Sequence, residues 1–283
     1  MKVSGFTIVR NAVKFHYPVV ASITSILPIC DEFIVNVGDS DDGTLDLVRS
    51  IKDPKIKIVQ TVWDMTQGSA VLSEQTNIAL SHCAGDWAFY LQTDEVIHEA
   101  DLPRLRSCMR RYWHDPSVDT LRFKWLHFYG SFWRYRIDAG WYQKQDRIIR
   151  NNGTIESHGD AFSFQRKDRT PLRRKNTECL LYHYGWVHSG TLMAHRLSNA
   201  VGIGYAAPGP AIGGADSSIY DYGDLDRFPI YFGTHPAVMQ EAIEAHALSS
   251  ADWQTIRRRH RFNPFLLARL RYKTFKRVRH KIE

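Results

Sequence analysis

Trp87-Ala88-Phe89-Tyr90-Leu91, followed at once by Gln92-Thr93-Asp94-Glu95, decides the fold of this chain. Five apolar residues without a polar break read as a strand buried on both faces, as in the middle of a parallel sheet covered by helices. An acidic turn directly after such a strand lies at its carboxyl end, the edge at which open α/β sheets bind ligands. A carboxylate there can hold a divalent cation against a diphosphate. The bland alternative is a surface turn whose acids are merely solvated.

Towards the N-terminus the same texture repeats. Val3 to Val9 reads as a strand, and Pro18 suits the first turn of a helix to about Ile29, because proline lacks a donor that this position does not need. Glu32 to Val37 is a second strand, Thr44 to Lys52 a short helix stopped before Pro54, and Ile56 to Gln60 a third strand. Ser73 caps a helix that runs towards Cys83 and closes at Gly85. Strands alternating with helices predict βαβ units, hence an α/β fold with a largely parallel sheet flanked by helices. The second strand ends in Gly38-Asp39-Ser40-Asp41-Asp42-Gly43-Thr44. Carboxylates in that turn suit hydrogen bonding to a ribose or base edge. Equally, Asp42 can cap the next helix while Gly43 permits the bend.

Towards the C-terminus the texture changes from about Leu121. Trp125, Phe128, Tyr129, Phe132, Trp133, Tyr135, Trp141 and Tyr142 crowd a short region. Most such rings pack a core, but sugar rings present apolar faces to aromatic ones, so Trp125, Trp133 and Trp186 are candidates for an acceptor platform. A strand at Arg147 to Arg150 leads into Gly153-Thr154-Ile155-Glu156-Ser157-His158-Gly159-Asp160. In Tyr182-His183-Tyr184-Gly185-Trp186-Val187-His188 the histidines alternate with aromatics. His183 reads either as a metal or diphosphate contact or as a packed histidine. Gly202 to Gly223 reads as a long loop, and Asn263-Pro264 as the start of a C-terminal helix.

With 283 residues, 43% hydrophobic and 24% charged, the chain has the composition of a globular protein with a sizeable core. No apolar run approaches the roughly 20 residues that span a bilayer, and the N-terminus leads straight into a strand without a signal-peptide pattern. Four scattered cysteines without a CxxC pair argue against a zinc knuckle or disulfide framework and suit a reducing compartment, so a cytoplasmic protein is expected. The net charge of +7 is local: Thr255 to Glu283 holds 11 of the 37 basic residues and one of the 30 acids. The body, with 26 basic and 29 acidic residues, offers no nucleic-acid groove.

In order and together, four pieces resemble family 2 glycosyltransferases of the GT-A type. They are the first strand with Arg10-Asn11-Ala12, the Asp42-Gly43-Thr44 turn, Glu74-Gln75-Thr76-Asn77 leading to Gly85-Asp86-Trp87, and Leu91-Gln92-Thr93-Asp94-Glu95; they span roughly residues 3 to 97. The resemblance implies a GT-A-like (Rossmann-like) domain over residues 1–250, with a donor half to about 97 and an acceptor half over 98–250. Residues 251–283 then form a basic helical tail. It further implies transfer of a hexosyl-type group from a nucleoside-diphosphate sugar, assisted by Mn²⁺ or Mg²⁺, with inversion. Val9, Arg10, Asn11, Asn36, Asp39, Asp42, Gln75, Gln92 and Thr93 fall at its nucleotide-sugar positions. Asp94, joined by His183, falls at the metal position. Asp160 is the first candidate for the base that deprotonates the acceptor, with Glu156 and His158 behind it.

The sequence departs from the family's Asp-x-Asp motif at Gln92. Val37-Gly38-Asp39 also carries an extra residue, which leaves Asn36 and Asp39 as rivals for one position. A glycan or lipid-linked acceptor, as in cell-envelope polysaccharide synthesis, fits a basic tail resting peripherally on the anionic inner face of a membrane, at about 1 kcal/mol per basic residue. The other readings of the tail are a dock for an acidic partner or nucleic acid and a poorly ordered solvated terminus. Two other functions stay open. A sugar nucleotidyltransferase would carry a glycine-rich loop where Arg10-Asn11-Ala12-Val13 has none. A degenerate, non-catalytic transferase that binds sugar or a partner is kept open by Gln92.

Overall fold

The computed structural model describes residues 1–138, 140–202, 204 and 218–247. The loop expected from Gly202 to Gly223 lies largely outside these residues, and the basic tail with its expected helix lies wholly outside them. The first half follows the expected alternation: β1 (Val3–Val9), α1 (Val19–Ile26), β2 (Glu32–Gly38), α2 (Thr44–Arg49), β3 (Ile56–Thr61), α3 (Ala70–Ser81) and β4 (Trp87–Tyr90). Then come β5 (Glu95–Ile97), α4 (Leu102–Tyr112), β6 (Thr120–Tyr129), β7 (Tyr135–Arg136), β8 (Lys144–Arg150), β9 (Ile155–His158), β10 (Ser163–Arg166), β11 (Arg174–Trp186), α5 (Gly190–Gly202) and α6 (Gln240–Ala247).

Two helix starts differ from expectation for local reasons. Pro18 stands just before α1, where its carbonyl accepts from the Ser22 amide. Helix α3 begins at Ala70, not Ser73. Asp64 caps a short 3-10 turn over Met65–Gln67 that feeds the chain into the helix, and the Ser73 hydroxyl bonds back to the Ala70 carbonyl.

The main sheet runs β3-β2-β1-β4-β8-β6-β11-β5, with β7 paired to β6. Parallel pairing joins β3, β2, β1 and β4. Strand β8 is antiparallel to both β4 and β6, and β11 is parallel to β6. Six strands therefore point one way, and their carboxyl ends share one edge. Burial on both faces explains the unbroken apolar runs. In β4, Trp87 and Phe89 enter the core under α1 and α4, whereas Ala88 and Tyr90 enter the core under α3. In β1, Val3 and Val9 face the first core, and Phe6 and Ile8 the second.

Candidate functional site

The turn after β4 is fixed from every side. Thr7 Oγ1 donates to the Leu91 carbonyl at 2.6 Å and Ser22 Oγ to the Gln92 carbonyl at 3.0 Å. The Tyr184 amide donates to the Asp94 carbonyl at 2.8 Å. Glu95, whose side chain is fully buried, turns inward to accept from the Gln92 amide at 2.9 Å and from Arg147 through two bonds of 2.8 Å. Arg147 also donates to the Phe162 carbonyl at 2.9 Å, which ties the Asp94 turn to the loop carrying Asp160. Such support holds functional groups within small tolerances.

This turn opens into a cavity of about 260 Å³ at the carboxyl edge of the sheet. Of the expected residues, Val9, Arg10, Asn11, Gln92, Thr93, Asp94, Trp125, Asp160, His183 and Trp186 line it. Others stand back. Asn36 is buried and donates to Gln75 Oε1, while the Thr61 hydroxyl lies within hydrogen-bond distance of both side-chain oxygens, so these groups hold β2, β3 and α3 together. Asp39 accepts from Arg10 Nε and the Trp63 amide; burial works against its ionisation, but these donors hold its carboxyl below the usual range. Asp42 accepts from the Lys14 and Thr44 amides and shapes the loop, with Gly43 at φ +78°. Glu156 pairs with Gln165 in the β9–β10 hairpin, and His158 packs edge-on against Phe162. Trp133 packs against His235, away from the cavity.

Gln92 has a structural use that explains part of the departure from two acids. Its amide nitrogen points to the Ala161 carbonyl at 3.4 Å, a bond a carboxylate cannot donate. Asp160 lies between Gly159 and Ala161, both left-handed, with φ +62° and +60°. A left-handed alanine is strained, and such strain concentrates at functional sites. Burial raises the Asp160 carboxyl above its ordinary range.

Asp94 and His183 converge. Asp94 Oδ2 lies 3.6 Å from His183 Nε2 and 3.6 Å from Arg196 Nη2. Burial alone would raise the Asp94 carboxyl, yet His183 and Arg196 pull it down to about 2. The His183 ring is oriented by His127. Burial, then the charge of His183, pushes His127 down to about 3, so it is neutral. His127 Nε2 must donate to the Tyr142 carbonyl at 2.7 Å, so its Nδ1 accepts from His183 Nδ1 at 3.0 Å. His183 Nδ1 thus donates to His127, which leaves Nε2 as the ring nitrogen facing Asp94. Gly185 keeps the space between them open: a Cβ there would lie 2.5 Å from Asp94 Oδ2 and 2.7 Å from His183 Nε2.

Sequence reasoning missed Trp63, Met65, Leu72, Phe162 and Arg196 in the wall, whereas Tyr142, from the aromatic region, does line it. Three buried donors among the lining residues, Trp63 Nε1, Trp125 Nε1 and Arg196 Nη1, have no partner among the described residues. Buried polar groups are ordinarily satisfied, so these three donors are exceptions within this wall. A second hollow of about 340 Å³ lies near the Arg150 end of β8, at the opposite edge of the sheet. There Asp119 is paired by Arg166 and Arg173, and Arg150 donates to four carbonyls, so its charges are already satisfied.

The model of glycosyl transferase family 2 matches residues 6–170, more than half of the chain. The chain belongs to this family. Its sheet is the mixed, mostly parallel one of the GT-A fold. No curated protein matches the chain. Among solved structures, S. aureus TarS shares 14% identity at TM-score 0.42, over 71% of this chain and 39% of TarS. Residues 1–349 of TarS with UDP-GlcNAc share 15% identity at TM-score 0.44, over 71% of this chain and 65% of that one. Glucosyl-3-phosphoglycerate synthase from Mycobacterium tuberculosis, in complex with Mn²⁺, UDP and phosphoglyceric acid, shares 17% at TM-score 0.33, over 44% and 43%. This family 2 chain thus spans less than two thirds of each of these relatives, and its membership rests on the family match.

Proposed function

We propose that this chain is a glycosyltransferase that moves a hexosyl-type group from a nucleoside-diphosphate sugar to an acceptor hydroxyl, with inversion. The observation that carries the reading is the meeting, in one cavity, of the Asp94–His183 donor pair, three unpartnered donors and Asp160. Asp94 and His183 suit Mn²⁺ or Mg²⁺, which commonly take one or two protein ligands and complete their shell with substrate phosphates and water. Among the described residues no group of three His, Cys, Asp or Glu side chains stands ready for a metal, so a cation here would need the substrate to complete its shell. Bound there, the cation would neutralise charge on the leaving diphosphate.

The chain's own residues supply the rest. Val9, Arg10 and Asn11 border the nucleoside, with Trp63 beside them. Asp160 takes the proton of the acceptor hydroxyl as that oxygen bonds to the anomeric carbon and the nucleoside diphosphate leaves. Trp125 and Trp186 line the cavity on the sugar side, with the Trp125 ring stacked on His183 and under the Arg147 guanidinium. A glycan or lipid-linked acceptor, and an anionic membrane surface reached through the basic tail, belong to the same proposal. Among the described residues no helix is long and apolar enough to cross a membrane.

Calorimetric titration of the protein with UDP, GDP, CDP and TDP, each with and without Mn²⁺, tests this reading. One nucleotide should bind, more tightly with metal, and Asp94→Asn should abolish the metal-dependent part. No binding of any of the four to folded protein would overturn the transferase reading. A companion variant, His127→Phe, removes the acceptor that sets the His183 tautomer. Mn²⁺ affinity should fall about 10- to 100-fold, and an unchanged affinity would remove His183 from the metal site.

A further inference from the structure

Arg196 stands on α5 with 8% of its surface exposed and lines the same cavity. Its guanidinium carbon lies 4.2 Å above the ring of Tyr17, which holds the group flat without occupying an N–H. Nη2 faces Asp94 Oδ2 at 3.6 Å, beyond hydrogen-bond distance. Nη1 is buried and has no partner among the described residues. The ion pair with Asp94 engages Nη2 alone and leaves Nη1 as a second buried donor unmet among the described residues. A planar fork of donors beside the proposed metal ligand suits an oxyanion with several acceptors.

The charges in the turn point the same way. Compared with an Asp-x-Asp pair, Gln92 removes one negative charge, and Arg196 places a positive charge beside Asp94. The site is thereby less repulsive to an anion before any cation arrives.

We propose that Arg196 is a protein-borne cation for the donor's diphosphate, so that this site grips a nucleoside diphosphate in part without metal. The proposal rests on the transferase reading above and adds to it a binding residue with its own signature. Arg196 binds the diphosphate from the α5 side, while Asp94 and His183 face it from the β4 and β11 side.

Titration of the full chain with UDP, GDP, CDP and TDP in EDTA, and again in Mn²⁺, separates the two contributions. Wild type should bind its nucleotide measurably in EDTA. Arg196→Met should weaken that binding about 10- to 100-fold, the loss of a hydrogen-bonded charge, and should leave a larger share of the binding in Mn²⁺. Arg196→Lys, which keeps the charge but not the fork, should lose less. Circular dichroism verifies the fold of each variant, and Arg196→Gln takes the place of Arg196→Met if the latter does not fold. Equal binding of wild type and Arg196→Met in EDTA overturns the proposal. So does a variant that loses Mn²⁺ affinity alone, because Arg196 would then serve only Asp94. Wild type that binds with Mn²⁺ and not in EDTA also overturns it, yet leaves the transferase reading standing. No nucleotide binding under any condition would instead remove the transferase reading itself.

Discussion

Asp160→Asn is expected to lower turnover about 10²- to 10⁴-fold, the contribution of a positioned general base, while nucleoside-diphosphate binding survives. The expectation follows from placement. Asp160 lines the cavity, whereas Glu156 is engaged with Gln165 and His158 with Phe162. The flanking left-handed residues and the Ala161 and Phe162 carbonyls, tied to Gln92 and Arg147, fix the loop from which it projects. Burial raises its carboxyl, which makes the carboxylate a stronger base. The sign of the pH effect follows. Below the raised value Asp160 is protonated and cannot accept, so kcat/KM rises with pH through that value and is flat above it. In Asp160→Asn this limb should vanish. Release of nucleoside diphosphate from the sugar donor, measured across pH, checks both points. Near-normal turnover with the limb intact would remove Asp160 from the base role. Wild type that binds nucleotide but never releases it would favour the non-catalytic reading.

Much of this site was legible because a buried parallel strand writes both of its faces in apolar residues and ends where ligands bind. Trp87 to Leu91 and the turn to Glu95 gave the fold and Asp94 together. His183 was legible from its aromatic alternation along a strand. What was not legible came from contacts across the sheet. Asn36 and Gln75 are spaced as binding residues, but their amides meet each other and Thr61 inside the α3 face. Trp63 could not be placed until β3 was set beside Gly38, whose missing side chain makes room for the indole. Arg196 lies in α5, about ten residues past the end of β11, a strand that carries no mark of it. Only the packing of α5 over the cavity brings it to Asp94. The aromatic region divided likewise: Phe128 and Phe132 pack a core, and Trp125 turns to the cavity.

Arg147→Met is expected to destabilise the protein by about 3–5 kcal/mol, the usual effect of leaving one partner of a buried ion pair alone. Both side chains are fully buried, and the pair is bidentate. Without Arg147, Glu95 keeps the Gln92 amide as its remaining donor, and the Phe162 carbonyl loses its own. For a chain of this size such a loss lowers the melting midpoint by roughly 6–20 °C. Glu95→Met combined with Arg147→Met should be less destabilised than the sum of the two single variants, because a well-packed apolar pair carries no uncompensated charge. The four proteins of this cycle, melted side by side, measure the coupling. Additive losses, or a single variant that melts like wild type, would mean that the pair does not hold the turn. A strong coupling would make it the strut between the two halves of the site. Glu95 is covalently next to Asp94, Arg147 grips the carbonyl two residues past Asp160, and the distance between proposed metal ligand and proposed base is then set by one buried ion pair.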